Sequence, residues 1–166
     1  AIAGVSNEYE ILNHAPTPFA LVDPPDNAVL KLTSYSVEQK FLWDVSTDDY
    51  TNIPISRYTA EIGNDIVKYT VVFVDSVSLT KKVEIDSDDL GLNNEFTTTH
   101  GQIRGIVEQI AGGGIIYQAL VWKVKAEDGL YTTWSTPPGQ NDGRPGFRLS
   151  IDLVGITSTG GTPNVP

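Results

Sequence analysis

Flat aromatic rings flanked by Asp, Asn and Gln form the side-chain set that recognises sugars: the ring takes the apolar face of a pyranose and the polar groups hold its hydroxyls. Two stretches of the sequence supply that set. Ser46-Thr-Asp-Asp-Tyr-Thr-Asn52 places Tyr50 beside Asp48, Asp49 and Asn52, and a later stretch gathers Tyr131, Trp134, Gln140, Asn141 and Asp142. Trp134, Tyr131, Tyr50, Asn141 and Asp142 are therefore the candidate ligand-binding residues. Asp, Asn and Gly also populate turns for backbone reasons, so both stretches are equally readable as ordinary loops. The remaining tryptophans, Trp43 and Trp122, alternate with other apolar residues and read as core plugs, each able to bury about 150–250 Å².

Other chemistry finds little to work with. There is no Cys, which excludes disulfides, thiolate nucleophiles and thiolate metal sites. The two histidines, His14 and His100, fall in unlike regions, so a triad or a His-rich zinc site has little to draw on. Asp86-Ser-Asp-Asp-Leu-Gly-Leu-Asn-Asn-Glu95 opens like a calcium loop, but Leu90 and Thr97 stand where two ligands are needed, and an acidic connection is the better reading. Asp44 and Glu61 lie on strand faces turned from the core, a poor arrangement for a glycosidase carboxylate pair. Gly-x-Ser-x-Gly and phosphate-loop motifs are missing, and Gly112-Gly-Gly114 follows a helix where a phosphate cradle precedes one. No catalytic residue, metal or cofactor is expected.

Charge and length narrow the partners. The 166 residues carry 21 acidic against 11 basic side chains, a net charge of -10, which repels nucleic acid and anionic membrane surfaces. No apolar run approaches the roughly 20 residues of a membrane-spanning helix. The sequence contains no Met, position 1 included, so a natural start and any export signal are expected upstream. Such a chain is long enough for one well-buried core.

The elements that must position the aromatics are mostly strands. Period-two alternation runs through Gln39–Val45, Arg57–Ile62, Leu79–Ile85, Leu120–Ala126 and Phe147–Ile151, and Tyr69–Val74 is apolar throughout, as in a strand covered on both faces. Turn signals separate them at Asp23–Asn27, Gly63–Asp65, Asp128-Gly129 and Pro137–Gly143. One segment differs: Ile103, Ile106, Val107 and Ile110 recur at helical spacing, with Thr99 as N-cap and Gly112 past the end, predicting a short helix over about 99–111. About seven strands and one inserted helix predict a mainly β antiparallel sandwich with Greek-key connections. Residues 1–17 read as a leader or linker, 18–153 as the domain and 154–166 as a flexible tail.

Pro18–Leu30, Phe41-Leu-Trp43, Tyr58–Ile62, Val121-Trp-Lys-Val-Lys-Ala126 and Trp134-Ser135 together resemble an immunoglobulin/fibronectin type III-like domain. With a helix before the Trp-Lys-Val strand, the chain is similar to the N-terminal domain of SusE-like outer-membrane lipoproteins of Bacteroidetes glycan-uptake systems. The resemblance spans residues 16–152. It implies an exported, non-catalytic module at the cell surface, held by a lipid anchor upstream of this sequence. Its implied partners are a polysaccharide, bound weakly, and an outer-membrane importer or neighbouring lipoprotein. The family continues into carbohydrate-binding domains and carries a lipid-modified Cys, neither of which this sequence contains. The rival expectation is an adhesive or structural module that docks a protein through an exposed edge strand, where Lys81 and Lys82 are edge protection or contact points. A domain accessory to a glycoside hydrolase is the third.

Overall fold

The computed structural model describes residues 15–48, 66–136 and 146–156. Its strands are β1 (Leu21–Asp23), β2 (Ala28–Lys31), β3 (Glu38–Trp43), β4 (Lys68–Asp75), β5 (Lys82–Asp86), β6 (Glu95–Thr99), β7 (Tyr117–Glu127), β8 (Thr132–Trp134) and β9 (Phe147–Asp152). Among the described residues a single longer helix, α1 (His100–Ala111), joins β6 to β7. A small sheet runs β1-β3-β6, and a large one runs β2-β9-β7-β4-β5 with β8 also beside β7. All pairs are antiparallel except β2 with β9, which is parallel.

The two sheets meet face to face through aromatic rings. Phe41 of β3 lies 5.3 Å from Phe73 and 5.0 Å from Trp122, both edge-on and both from the large sheet, and 6.0 Å from Phe96 of its own sheet. Trp122 continues the chain of rings to Phe147, and Trp43 meets Tyr69. Such offset contacts add to the area each ring removes from water. Trp43 and Trp122 are buried, as their alternation predicts, and neither indole N–H meets an acceptor, so packing alone holds them. Both faces of β4 are buried: Val71 and Phe73 face the main core, while Val72 and Val74 are buried on the outer side.

The helix closes one end of this sandwich. Ile103, Ile106, Val107 and Ile110 are its buried stripe, packed towards β4, β5 and β6. Thr99 and Gln102 form a reciprocal cap: the Gln102 N–H donates to Thr99 Oγ1 and the Thr99 N–H donates to Gln102 Oε1. The loop before β3 takes the next free donors, His100 N–H to the Val37 carbonyl and Gly101 N–H to the Tyr35 carbonyl. That approach is close enough that a Cβ at Gly101 would lie 3.1 Å from the Tyr35 oxygen. Arg104 bonds the Tyr35 hydroxyl and lies over its ring.

Several expectations need correction. Leu79 is not part of β5; it sits in the preceding turn at φ +59 and is exposed. Glu95, the last residue of the acidic stretch Asp86–Glu95, already begins β6, and the Asp88 carboxylate accepts the Thr97 N–H and hydroxyl. Trp134, in a segment without clean alternation, is in a strand of three residues, too short for a period to be visible. The expected strand Arg57–Ile62 lies outside the described residues. The sandwich is mainly β and immunoglobulin-like, with one inserted helix, and its core includes Leu153 and Ile156.

Candidate functional site

Of the five candidate ligand-binding residues, Tyr131 and Trp134 are described; Tyr50, Asn141 and Asp142 lie outside the described residues. The β7–β8 hairpin positions both. Its turn is held by Asp128, whose Oδ1 accepts the N–H groups of Leu130 and Tyr131, while Gly129 takes a φ of +98 that favours glycine. Tyr131 leaves this turn with its side chain exposed. Three residues on, Trp134 stands directly opposite Lys125 on the outer face of the large sheet.

The turn after β3 reaches the same end of the molecule. Tyr69 latches it, accepting the Ser46 N–H and donating to the Ser46 carbonyl, with burial pushing the phenol above its usual range despite that bond. Asp48 is thereby brought to Asp128. Burial works to raise the Asp128 pKa, but the neighbouring Asp48 and the N–H groups that Tyr131 and Leu130 donate to it outweigh this and hold it below the usual carboxylate range. Of the first stretch singled out for sugar-like chemistry, Asp48 thus lies beside the turn that leads to Tyr131.

Trp134 is the one exposed tryptophan, at 38% of its surface against 2% for Trp43 and 0% for Trp122. Its neighbours on the outer face are charged. The Lys123 ammonium stands 4.6 Å over the indole centroid, a cation–π contact. Across β4, Glu84 bridges Lys82 at 3.0 Å and Lys125 at 3.4 Å, and Lys125 also reaches Glu127. The hydrogen bond from Lys82 chiefly lowers the Glu84 pKa. Burial lowers that of Lys123, Lys82 repels it further, and Glu84 partly offsets both. Lys123 forms no ion pair among the described residues. Val72, Val74 and Val121 are buried on this same face, where long charged side chains lay their stems over apolar surface.

The sequence shows Lys123 and Lys125 as outward residues of a strand, but not their neighbours. Placing Lys82, Glu84 and Trp134 beside them requires the β4–β5, β4–β7 and β7–β8 registers. A separate groove of about 290 Å³ lies between α1 and strands β5 and β6, with Ile85, Phe96 and Ile106 as apolar lining and Gln102 and Gln109 as polar lining. No titratable side chain lines it. Among the described residues no three His, Asp or Glu side chains are grouped to hold a metal ion, and no helix is long and apolar enough to cross a membrane. The face around Trp134 presents a flat apolar ring beside hydrogen-bonding groups, and no activated nucleophile is seen there among the described residues. Comparison with protein-family models, curated proteins and solved structures returns no match to this chain.

Proposed function

We propose that this chain is a non-catalytic module of a cell-surface polysaccharide-utilisation system, a spacer and docking domain that also contacts glycan through Trp134. The observation that carries the reading is the contrast among the tryptophans: two are sealed in the core and the third lies open on a charged face, three residues from exposed Tyr131. An indole costs hydrophobic free energy when left in water, about 25 cal/mol for each Å² exposed, and a sugar ring recovers part of it. The similarity to SusE-like N-terminal domains, and with it a lipid anchor and outer-membrane location, belongs to the same proposal.

The test is titration with soluble polysaccharides, followed by tryptophan fluorescence. Binding at Trp134 produces a saturable change that Trp134→Ala abolishes, whereas Trp43 and Trp122 are too buried to respond. If no polysaccharide changes the fluorescence or is retained by the protein, the glycan reading is lost. A protein-docking module is then favoured. Strand β5 supports that second reading, because among the described residues it ends the large sheet and borders the α1 groove, the combination that captures extended peptides. Its exposed Lys82, Glu84 and Asp86 are also the charges that discourage indiscriminate edge pairing.

A further inference from the structure

Charge on this molecule is unevenly placed. Strand register puts Lys31, Lys68, Lys82, Lys123, Lys125 and Arg148 on the outer face of the large sheet, six of the 11 basic residues in the chain. Among the described residues four acidic side chains share it, namely Glu84, Asp86, Glu127 and Asp152. A chain of net charge -10 thus carries one face with more basic than acidic side chains among the described residues, and Trp134 stands on that face.

Lys123 is the distinctive member. Lys82 and Lys125 are neutralised by Glu84, and Lys125 also by Glu127, but Lys123 has the indole in place of a carboxylate. A cation–π contact at a half-exposed site is worth about 0.5–1 kcal/mol, less than a charge-assisted hydrogen bond to an anion. An ammonium held this way is ready to exchange partners. We infer that the outer face binds an anionic polysaccharide, Lys123 leaving the Trp134 ring for a uronate carboxylate or sulfate ester while the sugar stacks on the indole it vacates. The inference rests on the glycan reading above and names its ligand class. A neutral sugar offers Lys123 nothing in exchange and must compete with it for the ring. Repulsion from the acidic remainder of the molecule is long-ranged and is screened beyond about 8 Å at 0.15 M salt, so the contact at Lys123 survives there.

The experiment compares polygalacturonate with its methyl ester, the same backbone without charge, and dextran sulfate with dextran, at 0.15 M NaCl by calorimetry and tryptophan fluorescence. The expected result is that at least one anionic polymer binds about tenfold or more tightly than its neutral partner. That preference disappears in Lys123→Gln, while Trp134→Ala weakens both members of the pair. Preference in the first pair identifies a carboxylate and in the second a sulfate; either supports the inference. Equal binding within both pairs, or an unchanged preference in Lys123→Gln, overturns it and leaves the glycan reading standing. Anionic binding that Trp134→Ala does not weaken also overturns it, as attraction by charge alone. If none of the four polymers binds, the inference is overturned, while the glycan reading is decided separately by the wider polysaccharide titration. Unchanged urea midpoints in the two variants establish that the surface substitutions leave the fold intact.

Discussion

Phe41→Ala should remove a large part of the stability of this domain. The ring is fully buried at the centre of the sandwich and contacts Phe73 and Trp122 of the opposite sheet as well as Phe96 beside it. Truncating a buried Phe to Ala costs about 3–5 kcal/mol, through lost transfer free energy and the cavity left behind. The upper half of that range is expected, because three aromatic partners lose a contact at once and the strands holding them limit collapse. Against a total of about 5–15 kcal/mol for a domain, with no disulfide to compensate, the variant retains a marginal fold at best. Urea unfolding followed by tryptophan fluorescence measures it. With a slope of about 2 kcal/mol per molar urea, a loss of ~4 kcal/mol lowers the midpoint by about 2 M at unchanged slope. Phe41→Leu, which keeps most of the volume, should lose less than half as much. A cost below about 1 kcal/mol for Phe41→Ala would refute the claim that the two sheets pack through this ring.

The cap of α1 predicts that Thr99→Ala costs about 1 kcal/mol and Thr99→Ser much less, read as urea midpoints, because only Ala deprives the Gln102 N–H of its acceptor. His100 predicts a pH dependence. Its Nδ1 accepts the Thr33 N–H and burial lowers its pKa, so the folded state favours the neutral ring. The unfolded chain takes up that proton first as pH falls through about 6.5. Stability is therefore complete above that value and declines towards the lower folded pKa, by at most about 1.4 kcal/mol per pH unit for one group. His100→Gln should flatten the decline between pH 7.5 and 5; an equally steep decline in that variant would remove His100 as its source.

Much of the framework follows from local pattern. Period-two alternation marks the inward residues of β3, β7 and β9, and the spacing of Ile103, Ile106, Val107 and Ile110 marks α1 to within a residue, because each element shows its own period to the side chains that must leave water. Strands of three to five residues, such as β1, β6 and β8, contain too few alternations to stand out, and neighbouring strands rather than their own sequence define them. The burial of Trp43 and Trp122 is legible for the same reason as the long strands. Trp134 is legible as a candidate, but its cationic neighbour is not: Lys123 lies 11 positions earlier and is brought over the ring by a hairpin whose register local propensity does not specify. Composition alone determines that the chain is acidic and without cysteine chemistry. That more than half of its positive charge shares one face with its exposed tryptophan is decided by strand pairing, since only pairing turns positions distant in sequence into neighbours in space.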